Sequence, residues 1–192
     1  YYINFHFAEG SLLKHPIPGV LFWITGLAGA GKTTVGEIFT ELLRERHENV
    51  IFLDGDELRK IFDERTREHS YSQSARLSIA YRYARLCAHL TGQGHNVVCA
   101  TMSLFPEIWR WNRSHIANYF EVYVKVPFPI LVERDKKGLY NSVRPSQDAT
   151  NVVGVDIPFH QPENPDFTII NDGSETPRFV ARKILESWSS TQ

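Results

Sequence analysis

The segment Gly26-Leu-Ala-Gly-Ala-Gly31-Lys32-Thr33 fits the spacing G-x-x-x-x-G-K-[ST]. Glycines let a loop curl until its backbone N–H groups point at one phosphate, and a helix beginning near Lys32 adds its positive dipole end. Gly26, Gly29, Ala30 and Gly31 would form that cradle, with Thr34 beside it. Lys32 would reach the β- and γ-phosphates, and Thr33 would hold Mg2+ through its hydroxyl. So short a pattern also describes a glycine-rich turn with an exposed lysine. A strand before it and a helix after it are what give it meaning.

Asp54-Gly55-Asp56 is the second chemical feature. Two carboxylates around a glycine can divide labour: one holds Mg2+ or its water, the other accepts the proton of an attacking hydroxyl. The same three residues also make a plain turn with a helix N-cap. Arg59, one turn beyond Asp56, and Arg76 could grip an anionic acceptor, because guanidinium forks suit phosphate and sulfate. Either could equally be a solvated helix arginine. Arg134, Lys136 and Lys137 could neutralise a transferring phosphate. His69, His89, His95 and His115 lack metal-ligand spacing, and Trp109 and Trp111 read as packing.

These residues need a scaffold. Val20–Thr25 is a short apolar run between Gly19 and Gly26, the pattern of a strand buried on both faces. Residues 32–47 carry Val35, Ile38, Phe39, Leu42 and Leu43 at helical spacing. Val50–Leu53 reads as a second strand, so Asp54 and Asp56 stand at its C-terminal end, where α/β sheets place ligands. Residues 73–91 read as a helix closed by Gly92 and Gly94. Further strands are expected at Asn96–Ala100, Phe120–Val126 and Phe167–Ile170. A short helix should run from Pro127 through Arg134, and a closing helix over 177–188. The alternation predicts a three-layer α/β fold on a five-stranded parallel sheet. Residues 136–165 break the rhythm and carry Lys136, Lys137 and Arg144, which suits a lid over phosphate.

Composition agrees with an enzyme of this kind. The chain has 192 residues, 42% hydrophobic and 22% charged, enough for one domain with its own core. A formal net charge of −1 supplies no basic field to draw nucleic-acid polymers or anionic membranes. No apolar run is long enough to span a bilayer. Two cysteines, Cys87 and Cys99, make no disulfide framework and read as reduced thiols of a cytoplasmic protein. Residues 1–19 read as a leader or linker, with Pro16 and Pro18 favouring extended chain, and 20–192 as the catalytic domain.

A phosphate loop of this type serves phosphotransferases and nucleotide-dependent switches. No N-K-x-D guanine-reading motif is present, and the strand at Asn96–Ala100 ends without an acid, so a small-molecule kinase is the better expectation. ATP and Mg2+ are the expected partners.

At these residues the chain resembles the adenylylsulfate kinase family, a P-loop kinase fold. The matching segments are Gly26–Thr33, Leu53-Asp-Gly-Asp-Glu-Leu-Arg59, Tyr71-Ser72 with Arg76, and Ser103 with Phe105. Asp135-Lys-Lys-Gly-Leu-Tyr140, Asn151-Val-Val-Gly-Val-Asp156 with Pro158-Phe159, and Pro162-Glu-Asn-Pro165 follow in order. The resemblance implies transfer of the γ-phosphate of MgATP to the ribose 3′-hydroxyl of adenylylsulfate, by an enzyme that often pairs. It makes Asp56 the base candidate and Asp54 its partner near Mg2+. Arg59 and Arg76 would grip the anionic tail, and Lys137 would stabilise transferring charge. Arg134 would belong to the ATP side, and Tyr71, Ser103, Phe105, Leu139 and Val152 to the acceptor side. Residues 136–165 would be the lid.

The departures fall on the acceptor side. Val152 stands where the family's second adenine-clamping aromatic is expected, and Ile79 where an Asn is expected. Glu57 replaces an Asn after the acidic pair, and Ser103-Leu-Phe-Pro106 lacks the usual Pro and Arg. Losing one aromatic face removes roughly 1–3 kcal/mol of base stacking. A divergent branch of the family phosphorylates cytidine diphosphoramidate in bacterial capsule modification. The chain looks like that branch in Asp54-Gly-Asp-Glu-Leu-Arg59, Ser103-Leu-Phe105, Asn112-Arg113, Asn118-Tyr119 and Asn151–Asp156.

Overall fold

The computed structural model describes residues 16–62, 72–134 and 159–191. Five strands form one parallel sheet: β1 (Val20–Thr25), β2 (Val50–Asp54), β3 (Asn96–Thr101), β4 (Asn118–Lys125) and β5 (Phe167–Ile170), in the order β2-β3-β1-β4-β5. Among the described residues six helices accompany them: α1 (Lys32–Arg44), α2 (Gly55–Phe62), α3 (Gln73–Gly92), α4 (Pro106–His115), α5 (Phe128–Glu133) and α6 (Pro177–Ser189).

Strand side chains alternate between two apolar layers, which is why β1 reads as one unbroken apolar run. Leu21, Trp23, Val97 and Cys99 pack in one cluster with residues of α3 and α4. Phe22, Ile24, Val98 and Val122 pack in the other with residues of α1 and α6. Phe22 meets Phe39 and Trp188 edge-on, at centroid distances of 4.9 and 5.0 Å. The chain leaves β1 toward β2 on one side and later places β4 on the other. That reversal opens a crevice at the C-terminal end of β1, where the glycine loop lies.

The ends of the elements follow local chemistry. Ser72 caps α3 by accepting from the Ala75 N–H at 3.2 Å, and Gly94, with φ of 90°, turns the chain into β3. Thr176 caps α6, and Pro177 occupies its first turn. The first helix stops at Arg44 rather than at residue 47, and the Arg44 Nη2 donates to the Val50 carbonyl at 3.1 Å. The fourth strand begins at Asn118 and ends at Lys125, slightly ahead of the expected Phe120–Val126. Helix α4 was not foreseen. Its inward residues are Ile108, Trp109 and Asn112, so a polar side chain interrupts the apolar stripe that would have marked it. Pro18 and Gly19, expected within a leader or linker, are bonded to the domain: Asn118 Nδ2 donates to the Pro18 carbonyl at 2.9 Å, and the Gly19 N–H donates to the Thr91 carbonyl at 2.8 Å. Among the described residues no helix is long and apolar enough to cross a membrane.

Glu121 is a carboxylate placed inside this core, 2% exposed in β4. Its Oε2 accepts from Arg113 Nη2 at 3.2 Å, while Oε1 has no hydrogen-bond partner among the described residues. Burial pushes its carboxyl up to about 7, against the opposing pull of Arg113. The folded state therefore binds this proton more tightly than the unfolded chain does. The contribution to stability is full below the unfolded value near 4.5 and is lost as pH rises toward 7. That loss amounts to about 3 kcal/mol. Glu121→Gln keeps the shape and removes the charge. It should melt higher than wild type at pH 8 and show a flatter dependence of Tm between pH 5 and 8. A variant melting lower at pH 8, with an unchanged slope, would show that Glu121 does not carry the titration.

Candidate active site

The glycine loop joins β1 to α1, as its spacing requires. Gly31 precedes the first residue of α1 with φ of 87°, a left-handed conformation that disfavours a side chain; an added Cβ would also lie 2.8 Å from Asn171 Nδ2. At Gly26 a Cβ would stand 2.4 Å from the Val124 carbonyl oxygen, so only glycine lets the loop leave the sheet this close to β4. The Ala30 N–H donates to the Leu27 carbonyl at 3.2 Å and closes the turn. Lys32 Nζ donates to the same carbonyl at 2.8 Å, which lays the ammonium over the loop. Thr33 and Thr34 are exposed in the first turn of α1.

Thr33 also joins the two motifs. Its Oγ1 donates to Asp54 Oδ2 at 2.6 Å, so the hydroxyl and the carboxylate form one polar pair between α1 and the end of β2. The other oxygen of the same carboxylate, Oδ1, accepts from the Asp56 and Glu57 N–H groups at 2.8 and 3.2 Å, which caps α2. The two readings of the acidic motif therefore do not compete at Asp54: one oxygen caps the helix and the other faces the phosphate loop. Asp56 lies exposed in the first turn of α2. Gly55 lets this turn press on β3, since a Cβ there would meet the Ala100 carbonyl oxygen and Thr101 Oγ1 at 3.1 Å. Tyr83 Oη donates to the Gly55 carbonyl at 3.1 Å and ties the turn to α3.

The remaining expected residues are distributed as follows. Arg59 on α2 and Arg76 on α3 are half-buried. Ser103 is buried just beyond β3 and shares a 2.9 Å hydrogen bond with Thr101 Oγ1. Phe105 is half-buried at the start of α4. Arg134 follows α5, and its Nη1 donates to the Asn171 carbonyl at 3.0 Å. Tyr71, Lys136, Lys137, Leu139 and Val152 lie outside the described residues.

Asn171 escaped the sequence reading. Its Nδ2 donates to the Ala30 carbonyl at 2.9 Å across 141 residues of chain, bracing the loop from the far side. The local run Asn171-Asp172-Gly173 reads only as a turn, so nothing in it announces that contact. Thr101 and Tyr83 were missed for the same reason: each acts on the acidic turn from a remote element.

The donor set fits Mg2+ and a nucleoside triphosphate. Mg2+ is usually held by one or two protein oxygens together with phosphates and water. Thr33 Oγ1 and Asp54 Oδ2 offer such a hard-oxygen pair beside a loop shaped for phosphate. The ion would screen negative charge on the triphosphate and its leaving group.

Residues 18–170 match the family model for adenylylsulphate kinase. The chain belongs to the adenylylsulphate kinase family. It is 41% identical over 143 residues to a cytidine diphosphoramidate kinase of Campylobacter jejuni, covering 74% of this chain and 81% of that one. It is 34% identical over 167 residues to an adenylyl-sulfate kinase of Gloeothece citriformis, covering 87% and 92%. Among solved structures, the APS kinase of Mycobacterium tuberculosis in complex with AMPPNP and APS superposes with a TM-score of 0.79 at 28% identity, covering 91% and 99% of the two chains. A gluconokinase of Sinorhizobium meliloti at 18% identity and TM-score 0.63 shares the fold. As a member of this adenylylsulphate kinase family, the chain is a nucleotide kinase, a phosphotransferase on the P-loop kinase fold. Kinases of this family use ATP with Mg2+, the pair that its loop residues fit.

Proposed function

We propose that this kinase transfers the γ-phosphate of MgATP to the ribose 3′-hydroxyl of cytidine diphosphoramidate. The observation that carries the choice of acceptor is the 41% identity to the Campylobacter enzyme, against 34% to the adenylyl-sulfate kinase of Gloeothece. Ile79 supports it. This residue is 8% exposed, in an apolar cluster with Leu58, Tyr83 and Leu104, where the adenylylsulfate pattern expects a polar Asn.

In the reaction, Asp56 accepts the proton of the 3′-hydroxyl as that oxygen attacks. The new bond joins the 3′-oxygen to the γ-phosphorus, and the bond from that phosphorus to the β-bridging oxygen breaks to release ADP. Lys32 and the loop N–H groups hold the phosphates in line. Arg59 and Arg76 hold the acceptor's anionic tail. Arg134 belongs to the ATP side, Lys137 neutralises transferring charge, and residues 136–165 serve as the lid. The domain is assigned to residues 20–192 and its setting to the cytoplasm, where ATP is supplied. A self-paired assembly is part of the same reading, and size-exclusion mass measurement tests it.

The test is ADP release with cytidine diphosphoramidate, with adenylylsulfate and with no acceptor. The proposal expects the cytidine compound to win by at least about 10-fold in kcat/KM. Preference for adenylylsulfate would overturn the acceptor assignment. That second reading rests on the alignment to the Gloeothece enzyme, which spans 87% of this chain and 92% of that one, and on the Mycobacterium structure. Val152→Phe returns the expected stacking face. It should raise kcat/KM for adenylylsulfate by roughly 5- to 160-fold, the worth of one base–aromatic stack. No change would mean that position 152 does not select the base.

A further inference from the structure

We propose that Arg113 is a positioning residue for triphosphate binding: from the far end of the sheet it fixes β5, whose exit residue Asn171 braces the phosphate loop. The inference rests on the phosphate-loop reading and is independent of the acceptor.

The strand β5 has four residues and, among the described residues, lies at the sheet edge and pairs only with β4. One-sided pairing over so short a length holds register weakly. Both ends are fastened by side chains instead. At the entry, Asp166 Oδ2 accepts from the Glu121 N–H at 2.7 Å. Arg113 grips the same carboxylate with both forks, Nη2 to Oδ2 at 3.0 Å and Nη1 to Oδ1 at 3.3 Å. Its Nη2 also reaches the Asn164 carbonyl at 2.9 Å and Glu121 Oε2 at 3.2 Å, and its guanidinium lies 5.1 Å from the Tyr119 ring centroid. One side chain of α4 thus joins β4 to the residues that lead into β5. A planar fork can serve these acceptors together, the two Nη2 hydrogens being shared among three of them; a lysine ammonium cannot reproduce its geometry.

At the exit, the Asn171 N–H donates to the Lys125 carbonyl at 2.8 Å, and its side chain reaches Ala30. The Ala30 carbonyl precedes left-handed Gly31, so its orientation helps set where the N–H groups opening α1 point. The four residues between the two anchors pair one-to-one with Val122–Lys125 of β4, so a change of register at the entry carries through to the exit. Freeing Asp166 therefore loosens Asn171, and with it the loop.

The experiment titrates AMPPNP with Mg2+ by calorimetry into wild type, Arg113→Lys, Asp166→Asn, Asn171→Ala and the Arg113→Lys/Asn171→Ala double variant, with a thermal melt of each. Arg113→Lys and Asp166→Asn should each weaken binding by about 5-fold, within the range seen when coupling runs through packed elements. Asn171→Ala should weaken it by about 10-fold, and the double variant should bind within about twofold of Asn171→Ala alone. That non-additivity is what a general loss of stability would not produce. If Arg113→Lys fails to fold, Asp166→Asn, alone and combined with Asn171→Ala, carries the same test. Unchanged AMPPNP affinity in the entry variants would overturn the proposal, and so would a full, additive loss in the double variant. Failure of wild type to bind AMPPNP would instead overturn the phosphate-loop reading beneath it.

Discussion

Asp56→Asn is expected to lower kcat by about 10³-fold, the middle of the range for a positioned general base, while leaving KM for MgATP within about twofold. The reason is positional. Asp56 stands exposed on the first turn of α2, on the carboxylate side of the site, and makes no part of the glycine loop. The amide keeps the size of the side chain and cannot take a proton from the attacking hydroxyl. Removing a negative charge from the first turn of a helix costs only about 0.3–1 kcal/mol, so the variant should fold. Steady-state kinetics at varied MgATP make the measurement. A kcat close to wild type would take the base role from Asp56 and leave positioning and charge neutralisation as the whole of catalysis.

The second large effect is a contrast at one residue. Asp54 uses Oδ1 to cap α2 and Oδ2 to meet Thr33. Asn is as good an N-cap as Asp, whereas Ala caps nothing. Asp54→Asn should therefore melt close to wild type but lose about 10²- to 10³-fold in activity, with a raised Mg2+ requirement, because a charged ligand has become a neutral one. Asp54→Ala should lose the same activity and about 1 kcal/mol of stability besides. That corresponds to a Tm lower by about 2–4 °C for a domain of this size. Melts and Mg2+ titrations of both variants separate the two jobs. Wild-type Mg2+ dependence in Asp54→Asn would remove the metal role and leave the cap alone.

Much of this molecule is written locally. The unbroken apolar run of Val20–Thr25 marked a strand covered on both faces, and it is 0% exposed from Leu21 to Thr25. The period of Val35, Phe39, Leu42 and Leu43 marked α1, and the glycines between the two marked the phosphate loop, because few other residues can supply that backbone. Asp54-Gly55-Asp56 put two carboxylates at a strand end, and there Asp54 caps α2 and meets Thr33. Signals of this kind depend only on neighbours in the chain. Local sequence did not announce α4, whose inward face includes the buried Asn112.

The tertiary structure decided the rest. The order β2-β3-β1-β4-β5 depends on which strands meet across the sheet, and no single strand's pattern specifies its neighbours. Packing likewise gave one Asp54 oxygen to α2 and the other to Thr33, and brought Asn171 against Ala30 across 141 residues. In sequence Arg113 stands out only in the Asn112-Arg113 resemblance, yet folding gathers Asp166, Glu121 and Asn164 around its one guanidinium. The physical reason is the same in each case. Backbone preference and hydrophobic period are properties of a short stretch, whereas a hydrogen bond between distant side chains exists only after the elements carrying them have packed.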